Sequence, residues 1–127
     1  MELLLGRVEV LLRCGGVRVL AVLGVAHARP HYAAPRRVRF HEAEWALPAE
    51  RLEEALAALR ARFEAEDVRV TFPLEIRRAA ADDVWLSTAY GRDTVYIAAH
   101  RYHREEPGPY LLLVQRTLSG FDARPHW

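Results

Sequence analysis

The polar and apolar positions of residues 68–77, VRVTFPLEIR, alternate without a fault. Val68, Val70, Phe72, Leu74 and Ile76 point one way, and Arg69, Thr71, Pro73, Glu75 and Arg77 the other, the two-residue period of a strand with one buried face. Pro73 has no N–H to give to a ladder, so the pattern predicts a strand that is at a sheet edge or bulged there. Residues 48–63, PAERLEEALAALRARF, change period: Leu52, Ala55, Leu56, Leu59 and Phe63 recur at three- and four-residue steps, one apolar stripe of a helix. Pro48 suits its first turn. Glu50, Glu53 and Glu54 near its start and Arg60 and Arg62 near its end complement the helix dipole.

Other segments follow the same logic. RRVRFHEAEWALP (36–48) predicts a strand with Val38 and Phe40 on one face and Arg39 and His41 on the other, its alternation blurring at Glu42 and Glu44. TVYIAAHRYH (94–103) predicts a strand with Tyr96, Ala98, His100 and Tyr102 on one face. YLLLVQRTL (110–118) predicts a helix stopped by Gly120. Residues 79–93 form a long connection with one helical turn after Asp82-Asp83. Residues 3–25 read as two short apolar segments broken at Gly15-Gly16, and the two prolines of 28–35 make a connector. Strands and helices in this order give an α+β fold, an antiparallel β-sheet with helices packed on one face. The other face would then display Glu75, Arg77 and His100.

Composition narrows the function. The chain is 127 residues, one domain in size. Its net charge of +1 gives no general reason to expect nucleic acid. The charge is uneven: seven arginines and two glutamates fall within residues 1–40, eight acids and four arginines within 41–70. All 18 basic residues are arginine, so lysine chemistry is closed to these residues. Cys14 is the single cysteine, which leaves no intrachain disulfide and no cysteine-based metal site. Charges at Arg7, Glu9, Arg13 and Arg18 make the apolar N-terminal stretch a poor membrane span, and a cytoplasmic location, with peripheral membrane attachment as the variant, is the expectation.

Candidate chemistry is sparse. Glu75 and Arg77, two apart on a strand, project from one face with α-carbons about 7 Å apart. Arginine offers five donors and stays protonated, while glutamate accepts from a hydroxyl; the pair suits a polyol or a lactone. Such pairs are more often solvent-side decoration, worth about 0.2–1 kcal/mol. His100 and His103 fall on opposite strand faces, and Pro30 forbids a helix that would align His27 with His31, so no metal site is expected. Asp82-Asp83 reads as a cap or turn. The seven glycines contain no dinucleotide or phosphate-loop motif.

RRVRFHEAEWALP, the block FPLEIRRAAADDVWLSTAYGRDTVYIAAHRYHR and the terminal RPHW together resemble one family, the aldonolactone oxidoreductases: D-arabinono-1,4-lactone oxidases and L-gulono-1,4-lactone oxidases and dehydrogenases, with alditol oxidases as cousins. The resemblance covers roughly residues 35–127, and residues 1–34 match only loosely. It implies the α+β cap domain of a two-part flavoprotein, in which a separate domain binds FAD and the cap's sheet lies over the flavin and holds the sugar lactone. By the same resemblance Glu75 and Arg77 face the flavin as catalytic residues, and His100, His126 and Trp127 contact substrate. The family usually ends His-Trp-Gly-Lys; here the motif stops at Trp127. The expectation is a cap that is inactive alone, with FAD supplied by an absent domain or a separate subunit. The alternatives are a non-catalytic sugar-binding or protein-interaction module and a truncated gene product. A cap made to lie against another domain would also self-associate when alone, with a homo-oligomer as the outcome.

Overall fold

The computed structural model describes the backbone of residues 8–14 and 17–25 and the whole of residues 38–126. Trp127 lies outside the described residues, as do the connector at 28–35 and Gly15-Gly16. In chain order the elements are β1 (Val8–Cys14), β2 (Val17–Val25), β3 (Phe40–Pro48), a 3-10 turn (Ala49–Arg51), α1 (Leu52–Ala65), β4 (Glu75–Ala79), β5 (Thr94–Tyr102), α2 (Gly108–Leu118), a second 3-10 turn (Ser119–Phe121) and β6 (Arg124–Pro125). These strands form one sheet in the order β1-β2-β4-β5-β3-β6. Neighbours run antiparallel except β2 and β4, which pair in parallel through Gly24 with Arg77 and Val25 with Arg78. The two apolar N-terminal segments pair with each other, Cys14 opposite Val17.

Both helices lie on one face, as an α+β sheet requires. Ala55, Leu59 and Phe63 of α1 and Tyr110, Leu113, Val114 and Leu118 of α2 pack against Trp45 and Leu47 of β3 and Val95, Ile97 and Ala99 of β5. Each large apolar side chain buried there contributes about 1.5–3 kcal/mol. The helix stripe expected over 48–63 is the stripe that is buried. Pro48, however, ends β3, and a 3-10 turn precedes the first α-helical residue, Leu52. Helix α1 closes with Asp67 at φ 47° and Val68 N–H donating to the Phe63 carbonyl at 2.9 Å, a left-handed C-terminal cap.

Four local expectations are corrected. Burial does alternate from Val68, but the ladder begins only at Glu75, two residues past Pro73; β4 is an interior strand between β2 and β5, neither edge nor bulge. In β3 it is burial and not direction that stops alternating: residues 44–48 are all buried, with Ala43, Trp45 and Leu47 facing the helices and Phe40, Glu42, Glu44 and Ala46 sharing the other side. The connection at 80–93 has turns in place of a helical turn. Asp82 turns it, accepting from Val84 N–H at 3.1 Å and Ser87 Oγ at 2.5 Å; Gly91, at φ +71°, supplies a conformation that favours glycine. Finally, α2 ends at Leu118, the expected last residue, but Gly120 is not what stops it. It passes into the 3-10 turn, and Asp122 at φ 54° reverses the chain.

Candidate functional site

The face away from the helices carries the polar groups, and strand register sets its rows. Glu42 stands opposite His100; Glu44, Ala98 and Glu75 lie across three strands in the next row; Ala46, Tyr96 and Arg77 follow. Ala98 offers only a methyl between the two carboxylates of its row, which leaves room for the Arg77 guanidinium to reach across β5. It does so: Arg77 Nη2 donates to Glu44 Oε1. Its Nε is 3.8 Å from Glu75 Oε1. The Glu44 side chain is 1% exposed, against 32% for Glu75 and 43% for Arg77. A carboxylate shielded from water attracts a guanidinium far more strongly than one screened by it, so Glu44 is the dominant partner and Glu75 the looser one.

The chain's C-terminal segment completes the cluster. β6 pairs with β3, Trp45 opposite Pro125 and Ala46 opposite Arg124, which puts His126 beside Glu44. His126 N–H donates to the Glu44 carbonyl at 2.9 Å, and its Nδ1 lies 2.5 Å from Glu44 Oε2. The imidazole also packs on the Tyr96 ring, centroids 5.4 Å apart, and the Tyr96 hydroxyl is 2.9 Å from Thr88 Oγ1. Arg124 donates to the carbonyls of Thr88 and Tyr90 at 3.2 and 3.3 Å, and Arg92 pairs with Asp122 and donates to the Ala46 carbonyl. Residues 80–93 are thereby strapped to the C-terminal segment.

Glu75, Arg77 and His126 are therefore brought together. His100 shares their face but is 7% exposed, edge-on to Phe40 with centroids 4.8 Å apart, and its Nε2 is 3.5 Å from Glu42 Oε1. His103 lies past the end of β5. The residues that sequence reasoning missed are Glu44 and Tyr96. The signal for Glu44 was present: two carboxylates at an i, i+2 step before Trp45 continue the even-numbered face that begins at Phe40.

The arrangement offers a half-exposed, permanently charged donor held by a buried acceptor, with a second acceptor and an imidazole at its sides. It can hold a ligand rich in hydroxyl and carbonyl oxygen and stabilise negative charge that develops on oxygen. Among the described residues no group of three or more His, Cys, Asp and Glu could hold a metal ion, and no helix is long and apolar enough to cross a membrane.

The structure is an α+β sheet with both helices on one side and the Glu44, Arg77 and Glu75 cluster on the other. The model of the D-arabinono-1,4-lactone oxidase family matches residues 21–127, so the chain belongs to that family, as its motifs indicated. It is 43% identical over 96 residues to the L-gulono-1,4-lactone dehydrogenase of Mycobacterium tuberculosis, 76% of this chain and 22% of the relative. It is 35% identical over 96 residues to mouse L-gulonolactone oxidase, 72% of this chain and 22% of that protein. It is 36% identical over 114 residues to an alditol oxidase of Streptomyces, 84% of this chain and 26% of that protein. The chain thus spans about a fifth to a quarter of the length of the curated relatives it matches.

Proposed function

We propose that these residues are the substrate-binding cap portion of a flavin-dependent enzyme that oxidises a hydroxyl of an aldono-1,4-lactone or an alditol. The observation that carries the reading is the half-exposed Arg77 guanidinium, held by a buried carboxylate on the face that neither helix covers. Arg77 would bind the oxygen of the reacting carbon and stabilise charge developing there, an effect worth several kcal/mol in a dry site. Glu75 would accept a hydrogen bond from a neighbouring hydroxyl and orient the ring. His126 and Trp127 would border the substrate from the C-terminal segment, and His100 from the next row of β5.

This donor set of one guanidinium, two carboxylates and an imidazole fits a polyhydroxylated substrate. FAD would be held by a separate flavin subunit or by another part of a longer chain. The chemistry supplied by a flavin bound there would be two-electron oxidation of the carbinol.

The test is direct. The purified chain, given FAD, L-gulono- or D-arabinono-1,4-lactone and a dye acceptor, is expected to show no turnover, and steady dye reduction would overturn the cap assignment. Lactone titration is expected to show binding that Arg77→Ala removes. One observation favours a second reading, a protein-interaction module: Val84, Trp85 and Leu86 are 60%, 87% and 98% exposed. Binding to a protein partner with no affinity for lactones would support it.

A further inference from the structure

We propose that Glu44 is the positioning residue of this face: its buried carboxylate sets the Arg77 guanidinium towards the ligand and ties the C-terminal segment to the same point. The inference rests on reading the face as a lactone or polyol site, and extends it to a residue that would touch no ligand.

A carboxylate 1% exposed is expensive to bury unless it is paired and hydrogen-bonded. Its neighbours on the same face, Ala46 and Ala98, show that small apolar side chains fit the surrounding floor. An apolar residue at position 44 would therefore avoid the desolvation cost. What it would lose is the double contact, with Oε1 accepting from Arg77 Nη2 and Oε2 lying 2.5 Å from His126 Nδ1.

Arg77 is long, rotamer-rich and 43% exposed, so without an anchor its charge would sample many positions. Glu75 cannot be that anchor, since it is one-third exposed and 3.8 Å from Nε. Glu44 can, because it stands on the adjacent interior of the sheet, held through the β3–β5 ladder. The same residue takes His126 twice, by its carboxylate and by its main-chain carbonyl. A guanidinium from β4 and an imidazole from the C-terminal segment therefore keep one spacing, and a ligand bridging them meets a preset geometry instead of two independently moving groups.

The experiment uses the full chain labelled with 15N at arginine and histidine, in three forms: native, Glu44→Gln and Glu44→Asp. The Arg77 Nε–H resonance reports the guanidinium, and titration with L-gulono-1,4-lactone reports affinity. Glu44→Gln is expected to shift and broaden the Arg77 signal and to weaken lactone binding roughly tenfold, the order that loss of a charge-assisted hydrogen bond implies. Glu44→Asp, which keeps the charge, is expected to recover part of both. An Arg77 signal unchanged in Glu44→Gln, with affinity within about twofold, overturns the proposal.

If native chain binds no lactone, the reading of the face as a lactone site fails, while the Arg77 signal still decides whether Glu44 holds the guanidinium. Should Glu44→Gln not fold, His126→Gln answers the same question with the carboxylate left in place. A shared carboxylate moves the Arg77 signal when its second partner goes, and an unmoved signal overturns the proposal.

Discussion

Glu44 and His126 are 82 residues apart in sequence and 2.5 Å apart between Oε2 and Nδ1. That contact exists because two residues, Arg124 and Pro125, add a short strand to β3 and deliver the next side chain onto the polar face. The Arg77 contact to the same carboxylate spans 33 residues and reaches across one strand, β5. One side chain thus gathers the middle and the end of the chain, and its consequences can be measured separately from those of the Glu75–Arg77 pair.

Truncating the two visible partners of the cluster should give unequal effects. Arg77→Ala leaves a buried carboxylate short of a donor and is expected to destabilise the fold by about 1–3 kcal/mol. Glu75→Ala removes a loose, part-exposed partner and is expected to cost less than about 1 kcal/mol. Urea unfolding of both variants checks the order, and equal losses would mean that Glu44 does not dominate.

The tip of the 80–93 connection should govern self-association. Asp82 accepts from Val84 N–H and Ser87 Oγ, and this holds a turn that presents Trp85 and Leu86 almost fully exposed. Adjacent apolar side chains displayed on a fixed turn favour association. Sedimentation velocity is expected to show concentration-dependent oligomers for the native chain and a shift to monomer for Trp85→Ser combined with Leu86→Ser. Iodide should quench Trp85 strongly and Trp45, which is 5% exposed, hardly at all.

Periodicity made some of this legible and was blind to the rest for a physical reason. The α1 stripe and the shared face of Tyr96, Ala98 and His100 depend on local spacing, so they could be read from residues a few positions apart. The start of β4 could not, because the side-chain alternation runs on from Val68 while the hydrogen-bonded partner strand is present only from Glu75. Glu75 and Arg77 were visible as an i, i+2 pair. Glu44 was not recognised as their centre, because its importance comes from register across three strands, and an acidic residue in a half-apolar strand reads locally as a break in the pattern. Asp122, not Gly120, ends the second helical segment because the extra 3-10 turn carries the chain past the glycine.

Acid should loosen the base of the same connection. Asp93 accepts from Ala81 N–H at 3.0 Å and from Arg78 Nη2 at 3.2 Å, and the Ala81 bond, then Arg78, holds its carboxyl below the usual carboxylate range. A lowered folded value means that the contribution is complete above the ordinary carboxylate pKa and is lost as pH falls through the folded one. The Ala81 amide resonance is expected to titrate below the ordinary carboxylate range and to be pH-insensitive there in Asp93→Asn. An Ala81 signal that moves identically in both would remove Asp93 as the cause.

Tyr110 gives the opposite, alkaline case. It is 4% exposed beneath the Phe63 ring and the Arg101 guanidinium, and its hydroxyl has no hydrogen-bond partner among the described residues. Burial pushes its pKa up from 10.0 to about 12, against a smaller lowering by the Arg101 charge. Because the folded value is the higher one, the folded chain holds the proton where the unfolded chain has released it. Stability is therefore intact below pH 10 and falls between pH 10 and 12, by about 1.4 kcal/mol for each unit of displacement. Tyr110→Phe removes both the unpaired hydroxyl and the titration. It is expected to leave the fold at least as stable at neutral pH, with a gain of up to about 1 kcal/mol, and to abolish that part of the alkaline loss. Ultraviolet titration should show a phenol ionising near pH 12 in the native chain that is lost in Tyr110→Phe. A native and a Tyr110→Phe titration that coincide above pH 11 would mean that the Tyr110 hydroxyl reaches water, and the stability argument would fail with it.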